Sequence, residues 1–168
     1  PLPRPVAAVE QPPKPRAEPV AAPAPADRPL RVLLFAGAPT REYQFVRNLF
    51  VTLAERKDVE LSIYLQSAGP KSEQDVPAER LLKQFPTRLV NGDKKDDAED
   101  KSANLDQYDL IIAFDADWTK LTEEQLQLVE RWVRKDGRGL IFVAGPVNTL
   151  QLARPGGAKK FKPLLDVL

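Results

Sequence analysis

Four short apolar runs, separated by stretches of helical period, organise the chain from residue 30 onward. Leu30-Arg31-Val32-Leu33-Leu34-Phe35-Ala36 is almost continuously apolar, the mark of a strand covered on both faces. Gly37-Ala38-Pro39 breaks it. Behind Thr40, a candidate N-cap, Tyr43, Val46, Leu49, Phe50 and Leu53 recur at helical spacing and predict one buried stripe ending near Arg56. Val59–Leu65 alternates, which predicts a second strand in a more exposed or edge position. Leu110–Phe114 is the most apolar run and is expected near the sheet centre. Thr122 opens a second helix: Thr122 and Gln125 make a capping box, Leu121 and Leu126 are placed as a hydrophobic staple, and Leu126, Val129, Trp132 and Val133 form the inward stripe. Gly137 ends it, a fourth strand follows at 139–144, and Phe161, Leu164 and Leu165 are the last core anchors.

Between the second and third strands, Gln66 to Gln107 is a long polar connection in which only Ala78–Phe85 has the pattern of a short amphipathic helix. Asn91 to Lys101 carries five acids and three lysines, a composition expected to be solvated and mobile, and its spacing fits no EF-hand. The alternation of strands and helices defines an α/β fold with a parallel, flavodoxin-like sheet of strand order 2-1-3-4. In such sheets ligands bind beyond the carboxyl ends of the strands, where the order reverses. That places a crevice between Gly37–Glu42 and Asp115–Thr119, with Gly145–Thr149 beside it.

Composition narrows the chemistry. The 168 residues hold no histidine and no cysteine, so thiolate nucleophiles, imidazole bases and the zinc sites built from those ligands are excluded. A net charge of +1 supplies no long-range field for nucleic acid or anionic lipid, so no nucleic-acid partner is expected. No apolar run approaches the roughly 20 residues of a membrane span, so direct membrane insertion by this segment is not expected. Residues 1–29 hold ten of the seventeen prolines and seven alanines, a disordered Pro/Ala linker ahead of an α/β domain at 30–168. The chain opens on Pro1 and lacks methionine, which reads as a piece of a longer polypeptide, with a sheet expected to be truncated at its C-terminal side.

The Gly37 loop lacks the glycine spacing of either common phosphate cradle, although Arg41 and the first amides of the helix behind Thr40 could hold an anion. Phe114-Asp115-Ala116-Asp117-Trp118-Thr119 resembles the first motif of haloacid dehalogenase-type phosphotransferases. In that family the first Asp attacks phosphorus, the second handles the proton and a divalent cation offsets the charge. Thr149 and Lys159 stand where they could imitate two further groups of that family, but no acidic pair closes a magnesium site. The competing reading is that Asp115 and Asp117 end the strand and organise the turn into the Thr122 helix. Trp132 belongs to the apolar helix stripe, whereas Trp118 borders the crevice.

Val32 to Tyr43, Tyr64-Leu65-Gln66-Ser67-Ala68, Ile112 to Trp118 and Phe142 to Thr149 together resemble the class I glutamine amidotransferase-like domain of large planctomycete envelope proteins. The resemblance covers about residues 30 to 168 and implies a domain tethered by its Pro-rich arm to a membrane-anchored parent, with other domains of that parent or envelope proteins as partners. It implies no amidotransferase activity, because Gly145-Pro146 stands at the turn where that superfamily places its cysteine, and histidine is missing. The expectation is a non-catalytic binding or scaffolding domain without a cofactor. Its candidate ligand residues are Thr40, Arg41, Asp115, Asp117, Trp118 and Asn148. The alternative is a magnesium-dependent phosphotransferase using Asp115 and Asp117.

Overall fold

A run such as Leu30–Ala36 can lose both faces to packing only inside a sheet with helices on each side, and the computed structural model places it there. Residues 28–67, 77–90, 102–152 and 159–168 are described. Most of the Pro/Ala segment and the acidic run 91–101 lie outside them. Strands β1 (Leu30–Ala36), β2 (Val59–Leu65), β3 (Leu110–Phe114) and β4 (Gly139–Val143) form one sheet of order β2-β1-β3-β4. All three pairings are parallel, giving the flavodoxin-like α/β arrangement.

One face of the sheet packs against helix α1 (Arg41–Glu55), burying Val32, Leu34, Ala36, Leu61, Ile63, Ile112 and Phe114 with Tyr43. Thr40 caps α1, its hydroxyl accepting from the Tyr43 amide at 3.3 Å. The inward stripe is Tyr43, Val46, Phe50, Leu53 and Ala54. Leu49, expected in that stripe, is 57% exposed. At 100° per residue it falls on the margin of the stripe, while the residues of the three strands beneath α1 pack against its centre.

The opposite face carries helix α2 (Glu123–Arg134) and the four-residue helix α3 (Lys162–Leu165). The capping box of Thr122 and Gln125 is present, with Leu126, Val129 and Trp132 buried. Phe161 and Leu164 are buried too, while Leu165 is half-exposed. Phe35 anchors this core, in ring contact with Tyr64, Phe85 and Trp118.

The helix expected over Ala78–Phe85 does not form. Ala78–Arg80 makes one 3-10 turn, after which Leu81 bridges Ile63 in parallel and the Leu82 amide donates to the Ile63 carbonyl at 2.8 Å. Pro77 and Pro86 bracket too few residues to repay helix nucleation, and the unpaired rim of β2 offers ladder bonds instead. β2 is therefore an edge strand, as its alternation predicts, but an edge partly covered by the chain itself.

Candidate functional site

β1 and β3 are adjacent, and the turns that leave them meet. The Gly37 amide donates to the Phe114 carbonyl at 3.1 Å, and the Gln66 amide behind β2 donates to the Ala36 carbonyl at 2.8 Å. The crevice expected at this switch point is filled by the protein's own loop. Asp115 adopts φ 38°, a left-handed conformation that an aspartate tolerates better than most residues. This turns its carboxylate toward the segment after β4, where it accepts from the amides of Val147 (3.0 Å), Asn148 (2.9 Å) and Thr149 (2.9 Å) and from the Thr149 hydroxyl (3.0 Å). In return the Asn148 side-chain amide donates to the Asp115 carbonyl at 2.7 Å, and the Thr149 hydroxyl accepts from the Gly145 amide at 2.8 Å.

Two glycines make this closure possible by their lack of bulk. A Cβ on Gly37 would stand 2.5 Å from the Asp115 carbonyl oxygen and 2.7 Å from Asn148 Nδ2. A Cβ on Gly145 would press on Asp115 Cβ and Cγ and lie 2.6 Å from its Oδ2. Burial opposes ionisation of Asp115, but the three amides and the Thr149 hydroxyl outweigh it and hold the carboxyl below the ordinary aspartate range. The group is a buried structural anion with four donors across its two oxygens.

The remaining candidates serve several different structural ends. Asp117 caps the 3-10 turn Trp118–Lys120, accepting from the Thr119 amide at 3.1 Å. Its backbone is clamped on both sides by Gln66, whose Oε1 accepts from the Asp117 amide (2.7 Å) and whose Nε2 donates to the Asp117 carbonyl (2.9 Å). The aspartates therefore divide the turn-building role expected of them: Asp117 organises the local turn, and Asp115 reaches 32 to 34 residues along the chain. Trp118 does not wall a crevice. It is 1% exposed, stacked on Phe142 and edge-on to Phe35. Thr40 is spent on the helix cap, and Arg41 is exposed with its guanidinium over the Phe45 ring. Only Asp115 and Asn148 are brought into direct contact with each other, with Thr149 beside them. Lys159 has no described contact with that group, while Lys160 donates to the Thr119 carbonyl at 2.8 Å.

Open space lies elsewhere on the same rim, on the α2 side, where a recess of about 350 Å³ is lined by Tyr64, Phe85, Thr87, Lys120, Leu121 and Gln125 among others. Burial raises the Tyr64 phenol above its usual range. Among the described residues no group of three or more His, Cys, Asp or Glu is placed to hold a metal ion, and no helix is long and apolar enough to cross a membrane.

The opposite rim holds a charge cluster that sequence patterning does not single out. Asp109, just before β3, accepts from Arg28 at 2.6 Å and from Arg31 at 3.2 Å and pairs with Arg138, which also reaches Asp106 at 3.2 Å. Burial works against the Asp109 charge, yet the guanidiniums hold its carboxyl far below the usual range. The available signal was opposite charge at the starts of neighbouring strands, legible only once strand order is known.

Fold and rim together define the class: a parallel α/β domain of flavodoxin-like topology whose switch-point carboxylate is locked inside the protein. Comparison with protein-family models, curated proteins and solved structures finds no match.

Proposed function

We propose that this chain acts as a non-catalytic binding or scaffolding domain, in which the switch point of the sheet serves cohesion in place of chemistry. The observation that carries this reading is the state of Asp115. A nucleophilic carboxylate needs a free oxygen facing substrate, whereas this one accepts four hydrogen bonds from its own chain and sits under Gly37 and Gly145. Asp117 is likewise committed to a turn. Histidine and cysteine are absent, so imidazole bases and thiolate nucleophiles are not available in their place. The recess beside Tyr64, Phe85 and Lys120, lined by apolar and polar side chains together, offers the contact surface. The resemblance to glutamine amidotransferase-like domains of envelope proteins supplies the context: a tethered domain whose partners are neighbouring domains of its parent or other envelope proteins.

The test is phosphoryl transfer, the chemistry that the Asp115 and Asp117 spacing imitates. Incubated with magnesium and p-nitrophenyl phosphate, the wild-type protein should release no more phenolate than buffer does. Magnesium-dependent release that disappears in Asp117→Asn, with the circular dichroism spectrum preserved, would overturn the reading.

A further inference from the structure

The turn that joins α2 to β4 sets a carboxylate beside a glycine amide. Asp136 and Gly137 form the one Asp-Gly step in the 168 residues. Among the described residues no cation and no hydrogen-bond donor is paired with the Asp136 carboxylate, and its Oδ2 is buried without a partner. The amides of Lys135 and Arg138 return to the Arg131 and Trp132 carbonyls at 2.8 and 3.3 Å, but the Gly137 amide donates to no described group. Gly137 is exposed at φ 62°, and beyond its chain neighbours no described atom lies within 4 Å of the place a Cβ would take. Attack of a backbone nitrogen on the preceding side chain needs these conditions together: an untethered carboxyl group, an amide not held in a hydrogen bond, and no side chain on the following residue to crowd the ring that forms.

We propose that Asp136 and Gly137 form a site of spontaneous covalent modification, an aspartyl isomerisation that the folded turn permits. The Gly137 nitrogen attacks Asp136 Cγ, the new N–Cγ bond replaces the carboxyl C–OH bond, and the proton of the nitrogen leaves with that hydroxyl as water. Water then opens the resulting succinimide. Opening at the former main-chain carbonyl leaves Gly137 joined through Cγ, an isoaspartyl linkage of unchanged mass with the α-carboxyl set free. The main chain thereby gains one carbon between α2 and β4. That carbon enters directly before Arg138, which pairs with Asp109 and reaches Asp106 at 3.2 Å, and before Gly139, whose amide donates to the Asp109 carbonyl at 3.0 Å. A longer turn displaces both, so the modification weakens the charge cluster of this rim. The inference stands apart from the binding reading, since it needs no ligand.

Ageing of the native full-length chain tests it, by incubation for weeks in mildly acidic buffer at physiological temperature. Samples are then unfolded and digested with a protease that cuts before aspartate and not before isoaspartate. The wild type should progressively lose cleavage at Asp136 while cleavage at Asp109 and Asp115 persists. Aged wild type should also unfold at a lower urea concentration than fresh protein. Aged Asp136→Glu, which would have to close a larger and slower ring, should keep its fresh midpoint. Undiminished cleavage at Asp136, or a loss seen only when the chain is aged in urea, overturns the proposal. A loss of cleavage with no change in the urea midpoint, or an equal fall in Asp136→Glu, overturns its reach to the charge cluster.

Discussion

Asp115 concentrates several constraints in one residue. Its φ of 38° aims the carboxylate at the loop after β4, and that loop delivers three amides and a hydroxyl. Asp115→Asn keeps the shape but loses the charge and turns an NH2 toward backbone donors, which should destabilise the fold by about 3 kcal/mol in urea unfolding. Gly145→Ala should cost about as much by a different route. Its backbone has no unusual φ, so the requirement is space alone: the new methyl group would meet Asp115 Cβ, Cγ and Oδ2. An unchanged midpoint in Gly145→Ala would mean that the loop swings away easily and that the lock is loose. The sequence marks Asp115 as a special position through its place at the end of an apolar strand. It does not show the donors, because Val147 to Thr149 stand 32 to 34 residues away and donate mostly through backbone amides, which every residue type except proline possesses.

At the scale of elements, the strands and the two main helices were readable because hydrophobic period and capping chemistry act locally. Thr40 and the Thr122–Gln125 box mark their helix starts correctly. Ala78–Phe85 misled because its period was genuine, while its fate depended on a free β2 edge that no local pattern reports. Trp118 misled for a related reason: a residue after a strand end can lie on the rim or fold back beneath it, and only the position of Phe142 decides. The end of α1 carries a local conflict of its own. The Asp58 amide returns to the Leu53 carbonyl and the Lys57 amide to Ala54, a Schellman arrangement that puts Lys57 at φ 65°. Lysine occupies a position where glycine costs nothing sterically. Lys57→Gly should therefore raise stability by about 0.5 to 1 kcal/mol in urea unfolding, a gain tempered by the greater freedom of glycine in the unfolded chain. A loss of stability would show that the Lys57 side chain contributes more than its backbone strain removes.

On the scale of the molecule, two of the depressed carboxylates stand at opposite ends of β3, Asp109 before its first residue and Asp115 after its last, about 20 Å apart by strand rise. Each binds its proton less readily in the folded chain than in the unfolded one, where aspartate titrates near pH 4 as an order-of-magnitude reference. Their stabilisation is therefore complete above about pH 5 and is lost as pH falls through the folded-state values. Each contributes a slope of up to about 1.4 kcal/mol per pH unit to the acid limb of the stability curve. The two sites share no partner: one is held by Arg28, Arg31 and Arg138, the other by the Val147–Thr149 loop. Sites so separated behave additively, so Asp109→Asn and Asp115→Asn should each flatten part of the acid limb, and the double variant should flatten it by the sum of the two. Urea unfolding between pH 3 and about pH 7 measures this directly. If either substitution alone removes the whole limb, the two rims communicate through β3, and the sheet transmits strain from one end to the other instead of isolating two independent clasps.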